Sequence, residues 1–587
     1  MGAPVPPWCV IGRTAEGTVA LVDIGPDGSR GAPQVVEPSG LLAAVARREA
    51  HAAELGSAPP RWVWSDAPAW YAGLLASGTR VQRCHDLRLV HTVLRHSQLV
   101  QDKVAAEIRA AEEWDVPVHP GTEQQPVGAT LFDMDGGSPT RGGVPQRIGA
   151  VLEEFDRQQR AIDGSTDPAR LRLLVAAESA GALIAVELQA AGIPWDVAEH
   201  DRILTADLGP RPRPGHTPAL MVEVAAQVRE ALGDPLLSLD SPPKLLRALH
   251  RAGIDVRSTS RWELAEHQHP AIQPLLRYKK MARLLTANGW TWMDEWVHEG
   301  RYRPVYVPGG VVTGRWASSG GGALQIPRQL RPALRADPGW RLVSADVSQL
   351  EPRVLAAMAG DRAMARAGAG TDLYAGIVAA GVVATRQEAK VGVLGALYGG
   401  TAGDSGRIVP RLRRTFPDAM RLVDQAAETG ERGGTVSTLL GRSSPPPDPA
   451  WTSAQLHSHR PEAGTAEQDR ARRSARDRGR FTRNFVVQGT AAEWALSWMA
   501  ALRLALASFD EVPLDQAAHA SGPAFSRRAH LAFFLHDEVI VHAPASQADA
   551  AARAIRESAD AAGRLLFPGS PVDFPLDLVI TERSSAK

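Results

Sequence analysis

Apolar positions along this chain follow two rhythms, and the changes between them divide it. Residues 1–100 mix short apolar runs (CVIG, TVALVDI, RWVWS) with one helix-spaced patch, LLAAVARREAHAAEL, which predicts a small α/β domain. Residues 116–145 are rich in Pro and Gly and read as a loop or linker. From about 165 to about 297 the spacing is helical, as in LRLLVAAESAGALIAVELQAAG. Within it, SLDSPPKLLRALHRAG predicts a helix with Asp240 or Ser241 as N-cap and prolines in the first turn. Strand-like segments follow in YRPVYVPGG and WRLVSAD, then a helical zone from 348 to about 430. The proline-rich SSPPPDPAW breaks that zone, helix returns around 485–508, and two apolar runs close on HLAFFLHDEVIVHAP. Helices inserted between WRLVSAD and AFFLHDEVIV would let those strands meet in one sheet.

Composition narrows the class. A chain of 587 residues exceeds one ordinary core, so two or more domains are expected. With 44% hydrophobic and 22% charged residues it has the profile of a soluble globular protein. It has no long apolar run that would predict a membrane helix, and its start lacks the pattern of a signal peptide. Two cysteines, Cys9 and Cys84, are too few for a disulfide scaffold and fit a reducing cytoplasm; no Cys/His cluster has zinc spacing. Lys+Arg and Asp+Glu are equal at 65 each, so any nucleic-acid partner must be met by local charge in a cleft. Two basic runs, RIVPRLRR (Arg407 to Arg414) and DRARRSARDRGRFTR (Asp469 to Arg483), are candidates, although such runs are commonly solvated helix faces.

Candidate chemistry begins with His536, Asp537 and Glu538. Placed between two apolar strands, these charges are costly unless they are paired or hold a metal. Asp346 ends the strand LVSA, and Glu351 falls in the first turn of the helix that follows, where Pro352 is tolerated. If Asp346 and Asp537 come from neighbouring strands, two carboxylates converge, the minimum apparatus for two-metal phosphoryl transfer. Arg386, Lys390, Leu394 and Tyr398 recur every four residues and form a stripe roughly 18 Å long. Its cations suit phosphates, and its apolar and aromatic end suits a base or sugar. Arg480, Asn484 and Gln488 share another helix face, with groups suited to minor-groove edges. VVTGRWASSGGGALQIP is a Gly/Ser-rich loop carrying Arg315 and Gln325, without the lysine of a phosphate loop. Each feature alone has a bland alternative: a solvated turn, unrelated acids, an amphipathic helix, a surface loop.

In this order, TGRWASS…LQIP, ADVSQLEPRVLAAMAGD, RQEAKVGVLGALYGG, NFVVQGTAAE and LHDEV resemble the motifs of family A DNA polymerases, the DNA polymerase I type, over roughly residues 170–585. The resemblance implies an α/β multidomain fold. A ribonuclease H-like, exonuclease-like domain plus linker would occupy 1–165, and a right-hand polymerase domain 166–587. Within the latter it places a thumb at about 200–300, a palm at about 301–375 and 485–587, and fingers at about 376–484. The implied activity is template-directed addition of deoxynucleotides to a primer 3′ end, in DNA repair or gap filling.

The resemblance also implies roles. Asp346 and Asp537, with the Val347 carbonyl, would hold two Mg²⁺ ions, which Mn²⁺ could replace, and Glu538 would support them. Arg386 and Lys390 would hold the triphosphate, Lys390 also giving a proton to pyrophosphate. Glu351 would block a 2′-hydroxyl, Leu394 and Tyr398 would line the nucleotide site, and His536 would touch the primer end or incoming phosphates. Arg315, Gln325, Arg480, Asn484 and Gln488 would contact DNA. The implied partners are primer-template DNA and dNTPs, with no membrane, for a monomer of the cytoplasm and nucleoid.

Several positions depart from the family pattern. Leu394 stands where the family carries Phe or Tyr, Val347 for Tyr, Pro352 for Leu and Ala323 for Asn; ITERSSAK lacks the usual aromatic tail. Segments 451–479 and 509–527 are longer than the family's. The first strand has Arg13 and Thr14 where an exonuclease has Asp-x-Glu, leaving Asp66 and Asp86 as remnants, so proofreading is expected to be absent. The chain is too short for a 5′-nuclease domain as well. Two other readings are a single-subunit RNA polymerase, opposed by Glu351, and a non-catalytic DNA-binding protein derived from a polymerase. Intact Asp346, Asp537, Arg386 and Lys390 oppose the second.

Overall fold

The computed structural model describes residues 5–115, 143–370, 372–400 and 403–584. Most of the Pro/Gly-rich stretch 116–145 lies outside them. The N-terminal apolar runs form a five-stranded mixed sheet, in spatial order Gln34–Val36, Val19–Ile24, Trp8–Arg13, Arg61–Trp64, Cys84–Asp86. The first three strands are antiparallel, and the last two run parallel to Trp8–Arg13. Strand alternation sends Cys9, Ile11, Trp62 and Trp64 into one core and Val10, Val22 and Val63 into the other. Both faces are covered, so these strands read as continuous apolar runs.

Asp66 and Asp86 are occupied as helix caps. Asp66 accepts from the Ala69 N–H at 3.1 Å. Asp86, fully buried, accepts from Ala67 N at 2.7 Å and Leu89 N at 3.0 Å, joining the starts of helices Ala67–Ala76 and Leu87–Leu94. Burial pushes its carboxyl up to about 6.

Helix Pro168–Ala191 is buried along nearly its whole length because it lies between this module and the rest of the chain. Leu183 and Val186 enter the N-terminal core, while Ile184 and Leu188 enter the large central one. At Gly181 a Cβ would stand 2.8 Å from Leu496 Cδ2, so glycine permits the close approach of a second helix. Residues 197–296 are mainly helical. There helix Pro242–Arg251 starts after Ser241, but no side chain caps it; Asp240 instead accepts from the Tyr278 hydroxyl at 3.1 Å.

A four-stranded antiparallel sheet collects distant segments in the order His530–Leu535, Glu538–Pro544, Trp340–Val347, Leu576–Thr581. Helices Thr465–Ala507 and Ala548–Leu566 pack on it. The first of these, here called the long helix, has 43 residues, about 65 Å at 1.5 Å per residue. It begins at Thr465 rather than near 485. Its first half is Ala/Arg-rich and opens on a capping interaction, Gly464 N donating to Glu467 Oε2 at 3.1 Å. That half is mostly exposed, so it shows no apolar rhythm to reveal it. Among the described residues no helix is long and apolar enough to cross a membrane.

Candidate active site

Strand Trp340–Val347 is the centre of the site. It pairs on one side with Glu538–Pro544 and on the other with Leu576–Thr581. This register sets Asp346 directly across from Glu538 and from Asp577. His536 and Asp537 form the two-residue turn before Glu538, with His536 at φ 59°. The Val347 N–H donates to the Asp537 carbonyl at 3.0 Å, which ties the turn to the end of the neighbouring strand. Gln349, at φ 52°, turns the chain from that strand into helix Leu350–Ala359. Two left-handed non-glycine residues thus flank the carboxylates; each costs roughly 1–2 kcal/mol and is held by the packed strands around it.

The acids crowd one another. Partial desolvation, then the charges of Asp537, Glu538 and Asp577, push the Asp346 carboxyl up to about 7. Burial likewise raises Asp537. Asp346, Glu538 and Asp577 line a cleft of about 240 Å³ together with Arg328 and Arg331. Glu538 is buried and engaged in both oxygens by the Arg331 guanidinium, one bond being 2.9 Å. Arg331 thus offsets its charge, while Asp346 and Asp577 line the cleft and Asp537 stands at the turn beside them. Among the described residues no three carboxylate, imidazole or thiol groups are preassembled as a metal cage. Mg²⁺ does not require one, since it is bound by one or two carboxylates with water and substrate phosphates completing the shell. Hard oxygen donors with mutually raised affinity for positive charge fit such an ion.

Glu351 lies in the first turn of helix Leu350–Ala359. Arg315 donates to Glu351 Oε1, and the Tyr398 hydroxyl donates to Oε2 at 2.6 Å. Pro352 falls in the same first turn, where a missing N–H removes no helical bond. The next residue, Arg353, is fully buried and donates to carbonyls of Ser348 at 2.9 Å and Gly368 at 2.7 Å, and to Asp573 at 2.8 Å. It fixes the helix that presents Glu351.

The stripe residues occupy one helix, Arg386–Tyr398. It starts with a capping box: Thr385 Oγ1 accepts from Glu388 N at 3.2 Å, and Glu388 accepts from Thr385 N at 3.0 Å. It ends at Gly399, φ 72°. Arg386, Lys390 and Tyr398 are exposed, and Leu394 is half-buried against the central core. Arg386 pairs with Asp372 at 2.6 Å and lies 5.6 Å over the Tyr374 ring.

The expected DNA contacts are placed as follows. Asn484 and Gln488 are half-buried on the long helix, and Gln488 Oε1 accepts from the Thr313 hydroxyl at 3.0 Å. Arg480 is exposed and paired with Asp477. Gln325 is exposed at the end of the short turn Ala323–Gln325, where its N–H donates to the Gly322 carbonyl at 2.9 Å. His536 is exposed, and partial desolvation with nearby Arg315 lowers its imidazole pKa, which favours the neutral ring. Sequence reasoning missed Arg331, Asp372, Tyr374 and Asp577. Of these, only Asp577, alternating in PLDLVIT, and Asp372, heading a helix, carry a local signal.

A family model described as DNA polymerase family A matches residues 220–577. DNA polymerase I of Chloroflexus aurantiacus is 29% identical over 352 residues, covering 55% of this chain and 33% of that protein. The thermostable DNA polymerase I of Thermus aquaticus is 27% identical over 430 residues, covering 64% and 47%. The chain thus spans a third to a half of the length of these relatives. The solved POL domain of Pol1 from M. smegmatis, in complex with DNA primer-template and dNTP, has a similar fold: TM-score 0.66 at 18% identity, covering 96% of this chain and 92% of that one. The matched family span takes in more than half of the chain, including Asp346, the helix Arg386–Tyr398 and Asp537, and the chain belongs to DNA polymerase family A.

Proposed function

We propose that this protein is a DNA-directed DNA polymerase that extends a primer on a DNA template, acting in repair or gap filling in the cytoplasm, without proofreading. One observation carries the reading. The sheet register brings Asp346 and Asp537, 191 positions apart in the chain, to adjacent strand ends joined by the Val347–Asp537 hydrogen bond. The stripe helix and Glu351, coupled through Tyr398, stand beside them.

On this reading the four-stranded sheet is the palm, residues 376–484 the fingers and about 200–300 the thumb. Asp346, Asp537 and the Val347 carbonyl would hold two Mg²⁺ ions, which supply charge neutralisation at the phosphates and ease loss of the primer hydroxyl proton. The remaining work belongs to side chains. Arg386 exchanges Asp372 for the triphosphate, and Lys390, one turn on, holds the same phosphates and passes a proton to departing pyrophosphate. Glu351, held from two sides, closes the space a 2′-hydroxyl would need. Neutral His536 and half-buried Asn484 and Gln488 would hydrogen-bond the primer end and the edges of the new pair. The N-terminal sheet is a scaffold: both acids that could have survived from a nuclease are helix caps, and Asp86 is inaccessible.

The test is primer extension with purified protein, dNTPs and Mg²⁺, comparing wild type with Asp537→Asn. Template-directed extension that falls by roughly 10³-fold in the variant supports the proposal. Absent extension in Mg²⁺ and Mn²⁺, with primer-template still bound, would instead favour a non-catalytic DNA-binding protein. Excision of a mismatched primer end, lost in Asp86→Ala, would overturn the absence of proofreading.

A further inference from the structure

A buried ion pair outside the acid cleft stands directly behind the turn that carries Arg315. Arg442 lies in a tight turn whose ends, Ser437 and Ser443, pair antiparallel, and it donates to Glu178 of helix Pro168–Ala191. Both residues are nearly fully buried. A Cβ on Gly314, φ 87°, would stand 2.7 Å from Arg442 Nε and 3.1 Å from its Cζ, so the guanidinium lies against the residue before Arg315. At Gly309, φ 61°, where the same loop begins, a Cβ would stand 3.6 Å from Glu178 Oε2. Between these glycines the loop is closed on itself: Val311 N donates to the Arg315 carbonyl at 3.0 Å, and Gly314 N to the Val311 carbonyl at 2.8 Å. Stability alone does not account for the pair. Buried ion pairs contribute little net stability, and this one leaves Arg442 Nε and Glu178 Oε2 without a hydrogen-bond partner among the described residues, each beside one of the two glycines.

The turn that holds Arg442 is itself clasped from two sides. On the long helix, Thr490 Oγ1 accepts from Leu439 N at 3.0 Å, and Glu493 accepts from Leu440 N at 3.1 Å and from the Thr438 hydroxyl. Gly489 of that helix admits both loops at once: a Cβ there would stand 2.4 Å from Thr438 Cγ2 and 3.0 Å from the Thr313 carbonyl. From the N-terminal module, the Ser97 hydroxyl donates to the Gly441 carbonyl at 2.7 Å and Gln98 N to Ser443 Oγ at 2.9 Å, while Gln98 Oε1 accepts from the Ser437 hydroxyl at 2.7 Å. Arg442 therefore has a rigid base, and its guanidinium end meets the Gly314 turn.

We propose that Arg442, backed by Glu178, is a positioning residue for sugar selection: it sets the turn from which Arg315 holds Glu351. The inference rests on the reading of Glu351 as the group that closes the space of a 2′-hydroxyl. Arg442 acts through Gly314 and Arg315, since the carboxylate itself is held by Arg315 and Tyr398. Without the guanidinium, the space behind Gly314 is empty, and a glycine has no side chain of its own to hold the turn. Arg315 then loses its fixed origin, and Glu351 is left with Tyr398 as its firm partner. Exclusion of one hydroxyl depends on placement to within about 1 Å, so a loosened turn costs selectivity before it costs binding.

The test is a double-mutant cycle in primer extension, read as the ratio of kcat/KM for dNTP to that for rNTP. Two variants avoid an unpaired buried charge: Arg442→Lys, which keeps a cation beside Glu178 but loses the planar fork, and Arg442→Ala/Glu178→Gln, which removes both charges. The first is expected to lower the ratio roughly 3-fold and the second roughly 10-fold, with neither lowering it further when Glu351→Ala is also present, because all act through one carboxylate. A general loss of packing would not depend on Glu351 in this way, and thermal melting of each variant reports such a loss separately. Equal reductions with and without Glu351→Ala overturn the proposal, as does an unchanged ratio in both variants. A ratio unmoved by Glu351→Ala alone would instead sink the sugar-selection reading, and the proposal with it, a result distinct from failure of the Arg442 variants.

Discussion

The hydroxyl of Tyr398 donates a 2.6 Å hydrogen bond to Glu351, joining the last residue of the stripe helix to the first turn of the helix behind Asp346. Arg315 holds the other carboxylate oxygen. A carboxylate fixed at both oxygens cannot swing away from a bulkier sugar. Glu351→Ala should therefore reduce discrimination against ribonucleotides by at least roughly 10-fold, and Tyr398→Phe by less, read as the ratio of kcat/KM for dNTP and rNTP. An unchanged ratio in Glu351→Ala would remove this residue from sugar selection.

Arg386 is stored against Asp372 at 2.6 Å and over Tyr374. Because it would meet the triphosphate in ground and transition states alike, Arg386→Ala should raise KM for dNTP by roughly 10–100-fold with a smaller loss in kcat. Lys390→Ala should act chiefly on kcat, since proton delivery to pyrophosphate belongs to the chemical step. Steady-state kinetics on a primed template separate the two; a reversed pattern would exchange their roles.

Glu187 locks the N-terminal module to the long helix. It accepts from Arg503 Nε at 2.9 Å, from Arg80 at 2.9 and 3.0 Å, and from the Tyr71 hydroxyl at 2.6 Å, while Arg503 also donates to the Gln82 carbonyl at 2.7 Å. Glu187 and Arg503 are both almost fully buried. Glu187→Ala would leave Arg503 buried with its charge uncompensated, at a cost of about 3–5 kcal/mol. Thermal melting should show the loss, and limited proteolysis should cut between the module and the remainder first.

Glu187 and Glu493 give opposite pH dependences. Burial raises the Glu187 carboxyl, but Arg503 and Arg80 outweigh it and hold the group at about 2. Its contribution is present above the ordinary carboxylate range and is lost as pH falls toward 2. Glu493 is fully buried, and burial pushes it up to about 7. The folded state keeps that proton while the unfolded chain releases it, so stability falls as pH rises from about 4.5 through 7. Glu493→Gln should therefore be neutral near pH 5 and stabilising near pH 8, on the order of 2 kcal/mol, by chemical denaturation. A gain of equal size at both pH values would place the effect in packing rather than ionisation.

The sequence by itself determined the parts. Short continuous apolar runs flanked by turns specify the sheet strands, and Thr385 with Glu388 and Gly399 bound the stripe helix, because burial on both faces and capping leave local marks. Four-residue spacing alone put Arg386, Lys390, Leu394 and Tyr398 on one face. What only the tertiary structure decided is which distant groups meet. The pairing of strands around 340–347 and 538–544 made one site of Asp346 and Asp537. Packing then gave Glu538 to Arg331, Arg386 to Asp372 and Glu351 to Tyr398, pairs set by long-range geometry with no imprint on local pattern. It also set Asp66 and Asp86 at helix starts, where a short carboxylate beside free N–H groups is satisfied. The exposed first half of the long helix escaped the sequence reading for a related reason. A helix held by propensity and by one covering neighbour buries too little apolar surface to leave a rhythm.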